Sequence, residues 1–202
     1  MPTTQISSGN YVSFAHRLLW DSSQLQLAIA KERPDDTWML HLSAGLLAAA
    51  AFEAYLNYAG EELLPEIWAE ERTFFATEKY KGTYGKLKRI AEEVQLSLPP
   101  RDRTPLAGVI ELQTLRDRIV HARPKKKEYR QVHKIGQWPK LPSTWLYQEA
   151  TPIRVKRMIV NVEELAVQIH RSANSVFFDQ LFGAHPFHGI SGFATHSVET
   201  EA

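Results

Sequence analysis

Residues 38–52 are the most apolar stretch of the chain, fifteen residues interrupted by His41 and Ser43 and bounded by Asp36 and Glu53. A membrane span needs about 18 to 20 uninterrupted apolar residues. The shorter, interrupted run therefore reads as a buried helix. Extended to 37–64, it places Leu42, Ala49, Phe52, Leu56 and Leu63 on one face, with Leu46, Gly60 and Leu64 beside it. Apolar surface that wide calls for neighbours on more than one side, so this helix is expected at the centre of the fold. Asp36 is placed to cap its start, and Pro65 to end it.

The flanking sequence is also helical in period. A first helix is expected from an Asn10 cap to about residue 31, with Phe14, Leu18, Leu25 and Ile29 at three- and four-residue steps. Residues 66–83 read as a short helix and a loop, and 85–95 as a third main helix that Pro99-Pro100 breaks. A fourth begins at Thr104-Pro105 and runs to His121 or Ala122, where Pro124 bars continuation. Residues 123–152 hold four prolines and no clear period, which suggests a long loop or a Trp-bearing hairpin. A fifth helix spans 153–181, and the Gly-, His- and Ser-rich stretch 183–202 reads as a loose tail. No strand pair with a hairpin turn and no repeat is visible. The expectation is one all-α domain over 1–182, an up-and-down bundle of four to five helices with a long basic loop. A chain of 202 residues suits one domain. Its lack of cysteine excludes disulfides and thiolate chemistry. The polar opening, residues 1–11, has no leader-like apolar segment, and a cytoplasmic location with no membrane partner is expected.

Charge is unevenly distributed. The whole chain has a net charge of +1, but residues 116–134 carry eight basic and two acidic side chains, net +6. Such a stretch is either a solvated loop or the footprint of a polyanion. It opens with Leu115-Arg116-Asp117-Arg118-Ile119-Val120-His121. On a helical wheel Leu112, Leu115 and Ile119 form an apolar stripe, and Arg116 falls inside it. A guanidinium there needs a partner or a polar cleft. Asp117 and His121 are four apart and share a face, so the carboxylate is placed to orient the imidazole. An oriented imidazole near an Arg is a plausible acid/base and phosphate site. The plain alternative is an Arg116 salt bridge to Glu53 with His121 bonding a helix-terminal carbonyl.

The segment Arg116-Asp117-Arg118-Ile119-Val120-His121 resembles the signature of HEPN domains (higher eukaryotes and prokaryotes nucleotide-binding), an Arg followed by a polar residue and, four to six residues on, a His. Upstream, Phe52-Glu53-Ala54-Tyr55-Leu56-Asn57 is similar to the Glu-Ala-x-x-Asn helix of many members, and the order of the two helices agrees. The resemblance covers roughly residues 11–182. It implies a homodimeric helical bundle whose facing Arg–His helices cleave single-stranded RNA without metal or cofactor, by 2′-hydroxyl attack, in stress response, toxin–antitoxin systems or phage defence. Carried over, His121 would be the general acid or base, Arg116 would hold the scissile phosphate, Asp117 would orient the pair, and Glu53 and Asn57 would support it. Arg118, Arg123, Lys125, Lys126, Lys127 and Arg130 would hold the RNA backbone, with Trp138, Trp145 or Tyr147 as stacking surfaces. An antitoxin or other partner protein is a further implied contact. Arg123 stands where some HEPN toxins carry a Tyr that a nucleotidyltransferase modifies, so that mode of silencing is not expected. A silent HEPN-like module that docks nucleic acid or an acidic protein is the alternative.

Other motifs carry less. His185-Pro186-Phe187-His188, with His196, has metal-ligand chemistry but no carboxylate nearby in sequence, and is expected to belong to the tail. Lys125–Lys127 is too short for a localisation signal, and residues 82–86 lack the spacing of a P-loop.

Overall fold

The computed structural model describes residues 5–33, 37–123 and 145–200. Its elements, in order, are β1 (Gln5–Ser13), α1 (Ala15–Glu32), α2 (Thr37–Leu63), α3 (Pro65–Ala69), α4 (Glu71–Phe74), a 3-10 turn (Glu78–Tyr80), α5 (Gly82–Glu93), α6 (Leu106–Val120), α7 (Trp145–Glu149), α8 (Pro152–Val176) and β2 (Gly192–Thr200). The fold is mostly helical, as expected.

Helix α2 occupies the centre, in contact with α1, α5, α6 and α8. Among the described residues it is also the one helix long and apolar enough, by length and composition, to cross a membrane; half of its most apolar window is buried inside the protein. Its buried residues, among them Ala44, Ala49, Ala51, Phe52, Tyr55 and Gly60, cover about half of the cylinder at about 100° per residue, wider than a single stripe. Small residues let the neighbours come close. At Gly45 a Cβ would lie 3.0 Å from Val155 of α8 and 3.4 Å from Leu112 of α6. Ser23 of α1 donates its hydroxyl to the Ala44 carbonyl at 2.8 Å, tying α1 to α2. Helix α8 presents a continuous apolar stripe, Val155, Met158, Val162, Leu165, Ile169 and Ala173. Thr151 caps it, accepting from the Arg154 amide at 3.4 Å, and Pro152 occupies its first turn.

Several expectations are corrected. The segment expected to open the first helix is partly strand: α1 starts at Ala15, and residues 5–13 form β1. The strand pair absent from the sequence reading exists, joining the two ends of the chain. β1 and β2 are antiparallel, with Gln5 opposite Thr200 and Ser13 opposite Gly192. Helix α8 ends at Val176 rather than 181, because Phe178 and Asp179 take left-handed φ values of 51° and 62°. Asn174 then clamps the returning chain, its amide donating to the Leu181 carbonyl at 3.2 Å and its oxygen accepting from the Leu181 amide at 3.0 Å.

The loose-tail expectation for 183–202 is corrected over its described part. Phe187 is fully buried and stacks on Trp20 with centroids 4.3 Å apart. Arg17, itself buried, donates to the carbonyls of Ile190 at 2.6 Å and Phe182 at 2.7 Å, with longer bonds to Pro186 and His185. His170 of α8 bonds the Gly183 carbonyl at 2.8 Å. A charged donor that finds several carbonyls of one segment fixes that segment's path. Residues 181–191 are thus a strap across α1 and α8, not a free end. The expected basic loop lies outside the described residues over 124–144, together with Lys125, Lys126, Lys127, Arg130 and Trp138.

Candidate functional site

Helix α6 buries Leu106, Val109, Leu112 and Leu115, which fixes the rotation of its last turns. Arg116, next in sequence, lies at the edge of the core and points to α2. One guanidinium nitrogen binds the Glu53 carboxylate, and the other donates to Asp117 Oδ1 at 2.7 Å. The partner that a guanidinium on this stripe requires is therefore Glu53. Asn57, one turn beyond Glu53, accepts from Lys86 of α5 at 2.7 Å, and Lys86 also pairs with Glu71. Lys86 is buried, and the sequence reading did not single it out. The requirement that a buried ammonium be paired is the signal, but its partners come from distant elements.

His121 is the C-cap of α6, its amide donating to the Asp117 carbonyl at 3.0 Å. The side chain is exposed. Arg116 and His121 are five residues apart, about 140° around the helix at 100° per residue. They accordingly line different openings. Arg116 joins Glu53, Asn57, Ala50, Ala54 and Val120 around a groove of about 490 Å³ between α2 and α6. His121 joins Asp117, Thr114, Arg118, Arg123 and Trp145 around a second cleft of about 510 Å³. Asp117 and His121, only about 40° apart, share that cleft as their four-residue spacing requires. Among the described residues no hydrogen bond links their side chains; Asp117 is bonded to Arg116.

The far wall of the second cleft comes from α7. Arg118 pairs with Glu149, and its guanidinium carbon lies 4.1 Å over the Trp145 ring. The Arg118 hydrogen bond holds the Glu149 carboxyl below its usual range. Of the expected stacking aromatics, Trp145 reaches the cleft, whereas Tyr147 stacks on Trp38 at 4.2 Å. Chemically, this cleft offers an imidazole, a carboxylate, two guanidinium groups and an indole to one open space. That set can bind a phosphodiester, stack a base and move a proton.

The histidines set aside in the tail are also relocated. Glu163 of α8 supplies the nearby carboxylate that the local sequence lacks, 3.3 Å from His188 and 3.8 Å from His185. No protein-family model, curated protein or solved structure matches the chain.

Proposed function

We propose that the protein is a metal-independent endoribonuclease of HEPN type that acts on single-stranded RNA. The observation that carries this reading is the convergence of His121, Asp117, Arg118, Arg123 and Trp145 on one open cleft. Attack of a 2′-hydroxyl on phosphorus needs a base for the nucleophile, an acid for the leaving oxygen and positive charge for the phosphorane. His121 serves as the proton carrier. Arg118 and Arg123 hold the RNA backbone, and Trp145 offers a ring face for a base. Arg116, held by Glu53 and turned from His121, reaches the same phosphate only where two copies meet. A two-fold homodimer that covers the Ala50, Ala54 and Val120 wall of the first groove supplies that meeting.

The test is incubation of the purified full chain with labelled single-stranded RNA in excess EDTA. The expected result is cleavage that leaves a cyclic phosphate, with His121→Ala reducing the rate by about 10² or more, the usual value of one acid/base group. Arg116→Ala is expected to slow it as well, with Glu53→Gln milder. Absence of cleavage by the unmodified chain overturns the reading. A second reading has its own observation: Arg116 is satisfied within its protomer by two carboxylates and faces a different opening from His121. It makes the protein an RNA-binding module without catalysis, recognised by salt-dependent RNA binding that Arg123→Ala weakens while no product forms.

A further inference from the structure

The strap brings together three metal-ligating side chains that the ribonuclease proposal does not use. Glu163 projects from the middle of α8; His185 and His188 lie on the strap, 22 and 25 residues further along. One potential ligand atom from each falls within 4.8 Å of the other two. His188 Nε2 stands 3.3 Å and His185 Nε2 3.8 Å from the same Glu163 oxygen. The two imidazoles stack at 4.3 Å with planes 30° apart, so both present their Nε2 edges to that carboxylate. Ligand atoms about 2.1 Å from a zinc ion in a tetrahedral array stand about 3.4 Å from one another. The observed separations therefore need only small side-chain movement to enclose an ion.

We propose that Glu163, His185 and His188 form a binding site for a divalent transition-metal ion of the zinc type, which fastens the strap to α8. Two imidazoles, one carboxylate and no thiolate make a nitrogen/oxygen donor set that favours zinc and its neighbours over magnesium or calcium. Three protein ligands leave a fourth position for water, and the exposure of His188 gives the ion a way in. The backbone on both sides is fixed independently of the ion: Arg17 grips the carbonyls of Phe182 and Ile190, and Phe187 is buried between the two histidines in sequence. The ligands are thus held in place before the metal arrives. One contact must change. Phe187 donates its amide to His185 Nδ1 at 3.1 Å, which aims Nε2 at Glu163. Metal at Nε2 moves the ring proton to Nδ1 and breaks that bond, so the affinity is lower than that of a closed four-ligand site.

The experiment is calorimetric titration of zinc chloride into the EDTA-stripped, dialysed full chain, with thermal melts in parallel and no RNA present. One zinc per chain is expected, with a zinc-dependent rise in Tm that excess magnesium does not reproduce. Glu163→Gln and His188→Gln, both at accessible positions, are expected to retain the helical circular dichroism spectrum and to weaken zinc binding at least about tenfold each. No bound zinc overturns the proposal, as does unchanged affinity in both variants, which would place the ion on other histidines. Neither outcome bears on RNA cleavage in EDTA.

Discussion

Lowering the pH from 7 to 5 is expected to destabilise the fold through His16. This residue sits in the first turn of α1, 2% exposed, stacked on Tyr58 at 4.9 Å and edge-on to Tyr55 at 5.7 Å. Its Nε2 has no hydrogen-bond partner. Burial, followed by the adjacent Arg17 guanidinium, lowers its pKa from 6.5 to about 4. The native state therefore keeps the ring neutral, while the unfolded chain takes up a proton near 6.5. Below that pH the unfolded state binds more protons, so the stability His16 contributes is complete above about pH 6.5 and is lost as pH falls toward 4. With those two values the loss at pH 5 is about 2 kcal/mol. In a chain of this size that corresponds to a fall of about 4 to 8 °C in Tm. His170, lowered in the same direction chiefly by burial, adds to the effect. The assay is urea unfolding followed by circular dichroism at several pH values from 7 to 5, for the wild type and His16→Gln. The variant is expected to lose about 2 kcal/mol less over that interval, whatever its absolute stability. Parallel pH dependences for the two proteins would refute the assignment.

Two further perturbations probe the packing. Arg17→Met removes every bond the guanidinium makes to the strap and leaves the Phe182 and Ile190 carbonyls without that donor. It is expected to cost about 3 kcal/mol in denaturant unfolding and to add a chymotrypsin cut after Phe187, which is fully buried in the wild type. Gly60→Ala adds a methyl that overlaps the Trp68 indole where α2 turns into α3. The expected loss is about 1 to 3 kcal/mol, read as a lower Tm with unchanged helical content.

What the sequence made legible was local. The run at 38–52 announced α2 because a wide apolar surface has to be buried on several sides. Leu112, Leu115 and Ile119 marked α6 by the same three- and four-residue rule, and a helix was expected from 153, one residue from where α8 begins. What stayed hidden depends on pairings distant in sequence. Nothing in Gln5–Ser13 signals that Gly192–Thr200 is its partner, because the hairpin rule needs a short connecting turn. Arg17 reads as one polar residue of an amphipathic helix until the strap carbonyls are seen around it. Glu163 likewise reads as a solvent-facing acid until the strap sets two imidazoles beside it.

The candidate site divides along the same line. A guanidinium on the apolar stripe had to find a carboxylate, and Glu53 was identifiable as that carboxylate from the sequence. The order Arg116 to His121 also fixed the difficulty, since five residues of regular helix turn through about 140°. A single α6 therefore presents the two groups to different openings, and no side-chain rotation within a regular helix removes that angle. The proposed ribonuclease chemistry would require a second α6, related by two-fold symmetry, to bring one copy's imidazole toward the other's guanidinium. The groove beside Arg116 has the composition for such a contact: Leu46, Ala50, Ala54 and Val120 surround the charged pair, and Val120 is 62% exposed. Covering these residues would withdraw water from the Arg116–Glu53 bridge, which strengthens its Coulomb attraction and raises the cost of leaving either group unpaired. An incoming phosphate would then have to take the place of Glu53 or Asp117 at the guanidinium. Exchange of one anion for another keeps the charge paired, and a phosphate matches the bidentate geometry of Arg as well as a carboxylate does. In the proposed site, Glu53 and Asp117 therefore hold the guanidinium in position until the phosphodiester replaces one of them.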